Sequence, residues 1–204
     1  MKVVQKYELI YADPPWEFKV WSQKGRGRSA DSHYETMPLD RLKALPVAAI
    51  CAKDCVLLLW ATAPGLSVAL ELCVAWGFAY KRVAFVWIKK NRNNDRFFTG
   101  LGYYTRSNAE WVLLFTKGKP LARVRKDVGQ VVIAKVGRHS QKPAEIRTRI
   151  VDLFGDRPRV ELFARSRKGF FPNDEYRGWD VFGNEVDGSI DMPYEEKCKV
   201  GSES

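Results

Sequence analysis

Five stretches of this chain, residues 7–12, 55–61, 83–88, 110–116 and 159–164, are rich in Val, Leu, Ile, Phe and Trp with few polar interruptions. A strand wetted on one side alternates apolar with polar residues, whereas a continuous apolar strand suits a sheet covered on both faces. Between these runs lie amphipathic segments. In residues 66–76 apolar side chains recur at Leu66, Ala69, Leu70, Cys73 and Trp76, and Gly77 is a natural stop. A second helix is expected from Pro143, with Ile146, Ile150, Leu153 and Phe154 as its inner stripe, Arg147 and Arg149 pointing outward, and Gly155 as its end. Residues 38–45 are a shorter helical candidate. This alternation predicts an α/β fold, a doubly wound and mostly parallel sheet with helices on both faces. Such sheets bind ligands beyond the carboxyl ends of their strands.

The run 7–12 ends in Asp13-Pro14-Pro15-Trp16. Asp and Pro favour turns, so a plain surface turn is one reading. The other is a clamp for one flat, amino-bearing base. Two consecutive prolines lock φ and remove backbone donors, so the loop faces its ligand with acceptors only. The exocyclic amine of adenine is a poor nucleophile, because its lone pair is delocalised into the ring. To attack an electrophilic methyl, the nitrogen must shift toward tetrahedral geometry. Acceptors on its two N–H bonds favour that shift and stabilise the developing charge. The Asp13 carboxylate and the Pro14 carbonyl are the candidates, and Trp16 offers a ring for stacking. Positioning and electrostatics then carry most of the rate. Asp13 need not be a strong base, since the proton becomes acidic only after transfer.

With 204 residues, 46% apolar and 28% charged, the chain is expected to be one soluble domain, residues 1–185, and a flexible acidic tail, residues 186–204. No run approaches a transmembrane helix, and Met1 to Lys6 lack the features of a signal peptide, so a cytoplasmic protein without a membrane partner is expected. Cys51, Cys55, Cys73 and Cys198 form no zinc set, three of them lying in apolar surroundings, and His33 and His139 are too few for a metal-centred mechanism. No metal is expected. The net charge is +10, yet the last 20 residues hold six acids and two lysines, so residues 1–184 carry +14. A basic body suits a polyanionic partner, most simply nucleic acid, although a solvated basic surface has the same composition. Two long loops concentrate the charge. Residues 17–34 include Trp21, Lys24, Arg26 and Arg28 and end in His33-Tyr34, and residues 89–105 include Lys89, Lys90, Arg92 and Arg96. Loops this long are usually functional or disordered. Trp21 and Tyr34 are candidates to stack on or touch a base, with packing beneath the loop as the alternative for Tyr34. The cations are candidate phosphate contacts.

Asp13-Pro14-Pro15-Trp16 resembles the catalytic motif of amino-methyltransferases that act on exocyclic amines of bases. An initial Asp resembles the adenine-N6 group. The likeness continues through His33-Tyr34-Glu35-Thr36-Met37, residues 57–62, Ala75-Trp76-Gly77-Phe78, residues 85–89, residues 102–110, residues 139–143, residues 161–165 and residues 178–185. Together these resemble the MT-A family of adenine-N6 methyltransferases, across nearly residues 7–185. The resemblance implies a Rossmann-like class I methyltransferase fold, S-adenosylmethionine as methyl donor, and Asp13, Pro14, Pro15 and Trp16 as the catalytic set. It implies a cofactor set of Asp13, Ser140, Lys142, Glu161, Phe163, Arg165, Asn184 and Glu185. Lys142 would meet the methionine carboxylate, Arg165 the ribose, and Asn184 and Glu185 the adenosine. Phe163 is equally at home in a core; for Lys142, favoured as functional, the alternative is a solvated helix start. Trp60, Trp76 and Trp87 sit in strand or helix patterns and are expected in the core. A glycine-rich G-x-G loop is absent after Phe163, where Ala164-Arg165 stand. DNA is the favoured substrate, as for compact bacterial and phage members. RNA is the runner-up, and a catalytically silent nucleic-acid-binding scaffold is the reading from another class. A homodimer or a pairing with a related subunit stays open.

Overall fold

The computed structural model describes residues 5–16, 36–137, 141–164, 176–183 and 190. Trp21, Lys24, Arg26, Arg28, His33, Tyr34, His139, Ser140, Arg165, Asn184, Glu185 and Cys198 lie outside the described residues. Among the described residues seven strands form one sheet: β1 (Tyr7–Ala12), β2 (Cys51–Ala61), β3 (Ala79–Lys90), β4 (Ala109–Lys117), β5 (Val131–Lys135), β6 (Arg159–Leu162) and β7 (Asp180–Phe182). Their spatial order is β5-β3-β4-β2-β1-β6-β7. Only β4 runs antiparallel to its neighbours. Its first residues therefore lie level with the carboxyl ends of the other strands. Four helices, α1 (Leu39–Ala44), α2 (Val47–Ile50), α3 (Leu66–Ala75) and α4 (Glu145–Phe154), cover the sheet.

Side chains alternate along each strand, and the two faces bury separate clusters. Ile10, Leu57, Leu59, Leu113, Phe115, Val160 and Leu162 pack with Leu42, Val47, Ile50, Ala69, Leu72 and Trp76 from α1, α2 and α3. Leu9, Tyr11, Leu58, Trp60, Phe85, Trp87 and Val112 pack with Ile146, Ile150 and Phe154 from α4. Both faces are thus covered, as the unbroken apolar runs require. Trp60, Trp76 and Trp87 are all buried. Cys51, Cys55 and Cys73 are buried free thiols. Ile190, within the stretch expected to be flexible, packs against the first cluster.

Helix α3 ends as its sequence predicts. Gly77 takes φ +82°, and the Gly77 and Phe78 amides donate to the Val74 and Cys73 carbonyls. This left-handed stop satisfies carbonyls that the last turn leaves open. Three expectations need correction. Strands β5 and β7 were not foreseen: β5 alternates exposed and buried residues at the sheet edge, and β7 is three residues long. Lys89 and Lys90 belong to β3 rather than to a loop.

The third correction concerns Arg147, which does not point outward. It is 8% exposed, and its Nε and Nη2 donate to Glu161 Oε2 and Oε1 at 2.5 and 2.6 Å. Glu161 lies between Val160 and Leu162, which face the first cluster, so the pleat turns its carboxylate toward α4. A carboxylate there needs a charged partner, and Arg147 supplies it. The Tyr11 and Tyr176 rings lie 5.8 and 4.8 Å from the guanidinium. Arg149 stays nearer the surface, bonding Glu145 and the Gly129 and Val131 carbonyls beside β5.

Candidate active site

The site forms because alternation continues one residue past several strand ends. In β1, Leu9 and Tyr11 face α4, so Asp13 faces that side too. Val112 places Glu110 there, and Phe85 and Trp87 place Lys89 there. Lys142 lies just ahead of α4 on the same face. Four charges of alternating sign therefore meet at the carboxyl rim. Lys142 Nζ is 3.1 Å from Asp13 Oδ1 and 3.3 Å from Glu110 Oε2, and Lys89 Nζ is 2.5 Å from Glu110 Oε1.

Two indoles floor this row. Lys142 Nζ is 5.3 Å from the Trp60 ring, and Lys89 Nζ is 5.0 Å from the Trp87 ring. The two indoles meet edge to face at 6.1 Å. Each ammonium thus has carboxylate on one side and a π face on another, an arrangement that attracts cations. Trp60 Nε1 also donates to the Tyr11 hydroxyl, tying the floor to β1.

Burial and pairing compete in this row. For Lys142, burial disfavours the charged form, but Asp13 and Glu110 outweigh it and hold the ammonium pKa above its ordinary value. For Glu110, burial again opposes charge, but Lys142 and Lys89 outweigh it and hold the carboxyl below its ordinary value. Both groups are charged at neutral pH.

The Asp13-Pro14-Pro15-Trp16 loop is held at both ends. The Asp13 amide reaches the Leu162 carbonyl of β6 at 3.5 Å, and the Met37 amide donates to Pro15 O at 2.8 Å. The Trp16 amide donates to Pro14 O at 2.9 Å. That carbonyl, expected to face a ligand, keeps a second lone pair for one. Trp16 is half-buried and packs on the α1–α3 cluster. Beside the loop, Phe163 follows β6 with φ +63°, a left-handed conformation that a bulky residue rarely adopts. A Cβ on Gly183 would stand 2.1 Å from the Ala164 carbonyl oxygen, so the ends of β6 and β7 approach to a distance only glycine tolerates.

Of the expected site residues, the fold brings Asp13 and Lys142 into contact and places Phe163 one position beyond Leu162, the β6 partner of Ala12. Lys89 joins the charge row through Glu110 rather than facing outward as a free cation. Glu161 is 5% exposed with both oxygens held by Arg147, so it braces β6 beneath the rim. Lys90 is near Asp95 at 3.8 Å, and Arg92 and Arg96 are exposed. Glu110 was missed as a site residue. Its signal was an acid opening an apolar strand, read only as a boundary. Thr62 was also missed. Its Oγ1, just past β2, is buried with no hydrogen-bond partner among the described residues.

The MT-A70 family model matches residues 7–185. The chain belongs to the MT-A70 family. Its activity class is methyl transfer, and its Rossmann-like sheet is the MT-A70 methyltransferase fold. The chain is similar to the Type II methyltransferase M.MunI of a Mycoplasma species, with 36% identity over 93% of this chain and 82% of that protein. It is also similar to the probable N(6)-adenosine-methyltransferase MT-A70-like protein of Oryza sativa subsp. japonica, 29% identical over 92% of this chain and 24% of that longer protein. The human N(6)-adenosine-methyltransferase catalytic subunit METTL3 is 27% identical over 92% of this chain and 30% of its own length. Among the described residues no helix is long and apolar enough to cross a membrane.

Proposed function

We propose that this MT-A70 protein methylates the N6 amino group of adenine in DNA, with S-adenosylmethionine as methyl donor. The observation that carries this is the position of Asp13: at the end of β1, 3.1 Å from the half-buried Lys142 ammonium, and next to carbonyls that prolines have stripped of competing donors. S-Adenosylmethionine supplies an electrophilic methyl on a sulfonium. The donor set fits such a group. Lys142 suits an amino-acid carboxylate, while Asp13 and Glu110 suit an ammonium or a sulfonium. The unpartnered Thr62 Oγ1 offers a further polar contact at the same rim. Phe163, with Ser140, Arg165, Asn184 and Glu185, completes the proposed holding residues, and Glu161 acts by fixing β6.

In this reading the Asp13 carboxylate and the Pro14 carbonyl accept the two N–H bonds of the amine and stabilise its developing positive charge. Lys142, 3.1 Å from Asp13 Oδ1, holds that carboxylate in place. Trp16 stacks on the base from its partly buried seat. Lys90, Arg92 and Arg96, with Trp21, Lys24, Arg26, Arg28 and Tyr34, supply contacts to the strand. Support for DNA comes from the Type II methyltransferase, which this chain matches over most of both lengths. RNA is the second reading, supported by the relatives named as adenosine methyltransferases. Labelled-methyl transfer to matched DNA and RNA oligonucleotides, followed by nucleoside analysis, tests both. N6-methyladenine in DNA is expected. Product only in RNA moves the protein to the second reading. No transfer, with no stabilisation by S-adenosylhomocysteine in a melting assay, makes it a scaffold.

A further inference from the structure

Residues 91–108 join β3 to β4 at the same rim as the charge row. This loop is built rather than slack. The Asn91 amide donates to Arg96 O and the Phe98 amide to Lys89 O, at 2.9 and 2.8 Å. Asn94 Oδ1 accepts from the Asn91 side-chain amide and the Arg96 backbone at 3.1 and 3.0 Å. The second half closes through the Gly100 amide and Ser107 O at 2.8 Å. A Cβ on Gly102 would fall 1.9 Å from the Thr105 carbonyl oxygen, so only glycine lets the backbone fold back this tightly.

At the apex of that turn stand Tyr103 and Tyr104, 84% and 94% exposed. Their rings meet edge to face at 4.8 Å. Leu101 and Phe97 are also exposed nearby in the loop. Single exposed apolar residues are ordinary, but four in eight positions of one braced loop mark a contact surface. Its charge indicates the partner. Arg92, Arg96 and Arg106 are exposed along it, and its one acid, Asp95, lies 3.8 Å from both Lys90 and Lys135. Residues 1–184 carry +14, and aromatic rings interleaved with cations on so basic a body fit bases beside phosphates.

We infer that Tyr103 and Tyr104 form a stacking wedge for the nucleobases that flank the target adenine, holding the strand open where that base leaves its stack. The inference rests on the adenine-methylation reading and extends it. A duplex adenine reaches Asp13 only after extrusion, which costs stacking energy, and stacking of the flanking bases on aromatic side chains offsets part of that cost. Stacking on an aromatic side chain tolerates any base, so this wedge adds affinity without sequence choice. The exposed arginines track the phosphates on either side.

The test compares wild type with Y103A/Y104A and Y103F/Y104F, using oligonucleotides that carry 2-aminopurine beside the adenine. Binding, methyl transfer, melting temperature and sedimentation are measured together. With melting and S-adenosylhomocysteine binding unchanged, Y103A/Y104A is expected to weaken binding and kcat/KM by about ten- to a hundredfold. The loss should be larger on a matched duplex than on a single strand, and the 2-aminopurine signal of unstacking should disappear. Y103F/Y104F should retain wild-type behaviour, because the rings remain. Unchanged binding and transfer in the double-alanine variant overturn the wedge. Loss of self-association with unchanged nucleic-acid affinity also overturns it, and makes the apex a protein contact. Wild type that binds the oligonucleotides but transfers no methyl to DNA or RNA sinks the methylation reading instead, and the double-alanine binding result still decides the stacking surface.

Discussion

The two faces of the sheet bury comparable apolar clusters, yet among the described residues the largely buried ion pairs lie against only one of them. Against α1, α2 and α3 the described buried residues are all apolar apart from tyrosine, whose hydroxyl at Tyr7 reaches Asp180 at 2.7 Å. Against α4 the apolar cluster is threaded by the Arg147–Glu161 pair and rimmed by Asp13, Lys142, Glu110 and Lys89. Apolar packing stabilises without regard to direction, whereas a buried ion pair demands geometry and contributes little net stability. The first face therefore serves mainly as a foundation, and the second sets the orientation of the groups at the rim.

The largest expected effect tests that division within the charged face. Arg147→Met alone strands the Glu161 carboxylate and should destabilise the fold by about 3–5 kcal/mol in urea unfolding. Adding Glu161→Leu should recover much of that loss. If the double variant is no better than the single, the pair contributes more than mutual compensation. Asp13→Ala should reduce methyl transfer by about 100-fold or more while melting close to wild type. Retained turnover would remove Asp13 from the chemistry.

Glu110→Gln sharpens the contrast through pH. The folded pKa of Glu110 is depressed, so its contribution to stability is full above the ordinary carboxylate value of about 4.3 and fades as pH falls through the folded value. The gap in melting temperature between wild type and Glu110→Gln should therefore narrow below about pH 4. A gap independent of pH would mean that shape rather than charge matters there. On the other face, Ile10→Val should cost only about 0.5–1.5 kcal/mol and leave kcat of the folded protein unchanged. A changed kcat would show that the foundation reaches the rim. The smallest effect is expected from Lys90→Ala with Arg92→Ala. These changes should flatten the salt slope of nucleic-acid binding by about one to two phosphate contacts, with no change in folding. An unchanged slope would mean that this part of β3 and its loop faces away from the strand.

Much of this was legible in the chain itself. Unbroken apolar runs called for a sheet covered on both faces, the stop at Gly77 ended α3, and Asp13-Pro14-Pro15-Trp16 marked the end of β1 as the place for chemistry. These are local properties: period, backbone restriction and the absence of donors. Tertiary structure decided how they combine. Periodicity says which residues share a face of one strand, but not which strand lies beside it or in which direction. The reversal of β4 brings Glu110 to the carboxyl rim, where Lys142 and Lys89 meet it. Arg147 looked like an outward charge on α4 until β6 placed Glu161 opposite it. A charged residue reads as solvent-facing in sequence because burying it alone is prohibitive. Only the arrival of an opposite charge from a distant segment makes the buried position favourable, and that arrival is a property of the fold.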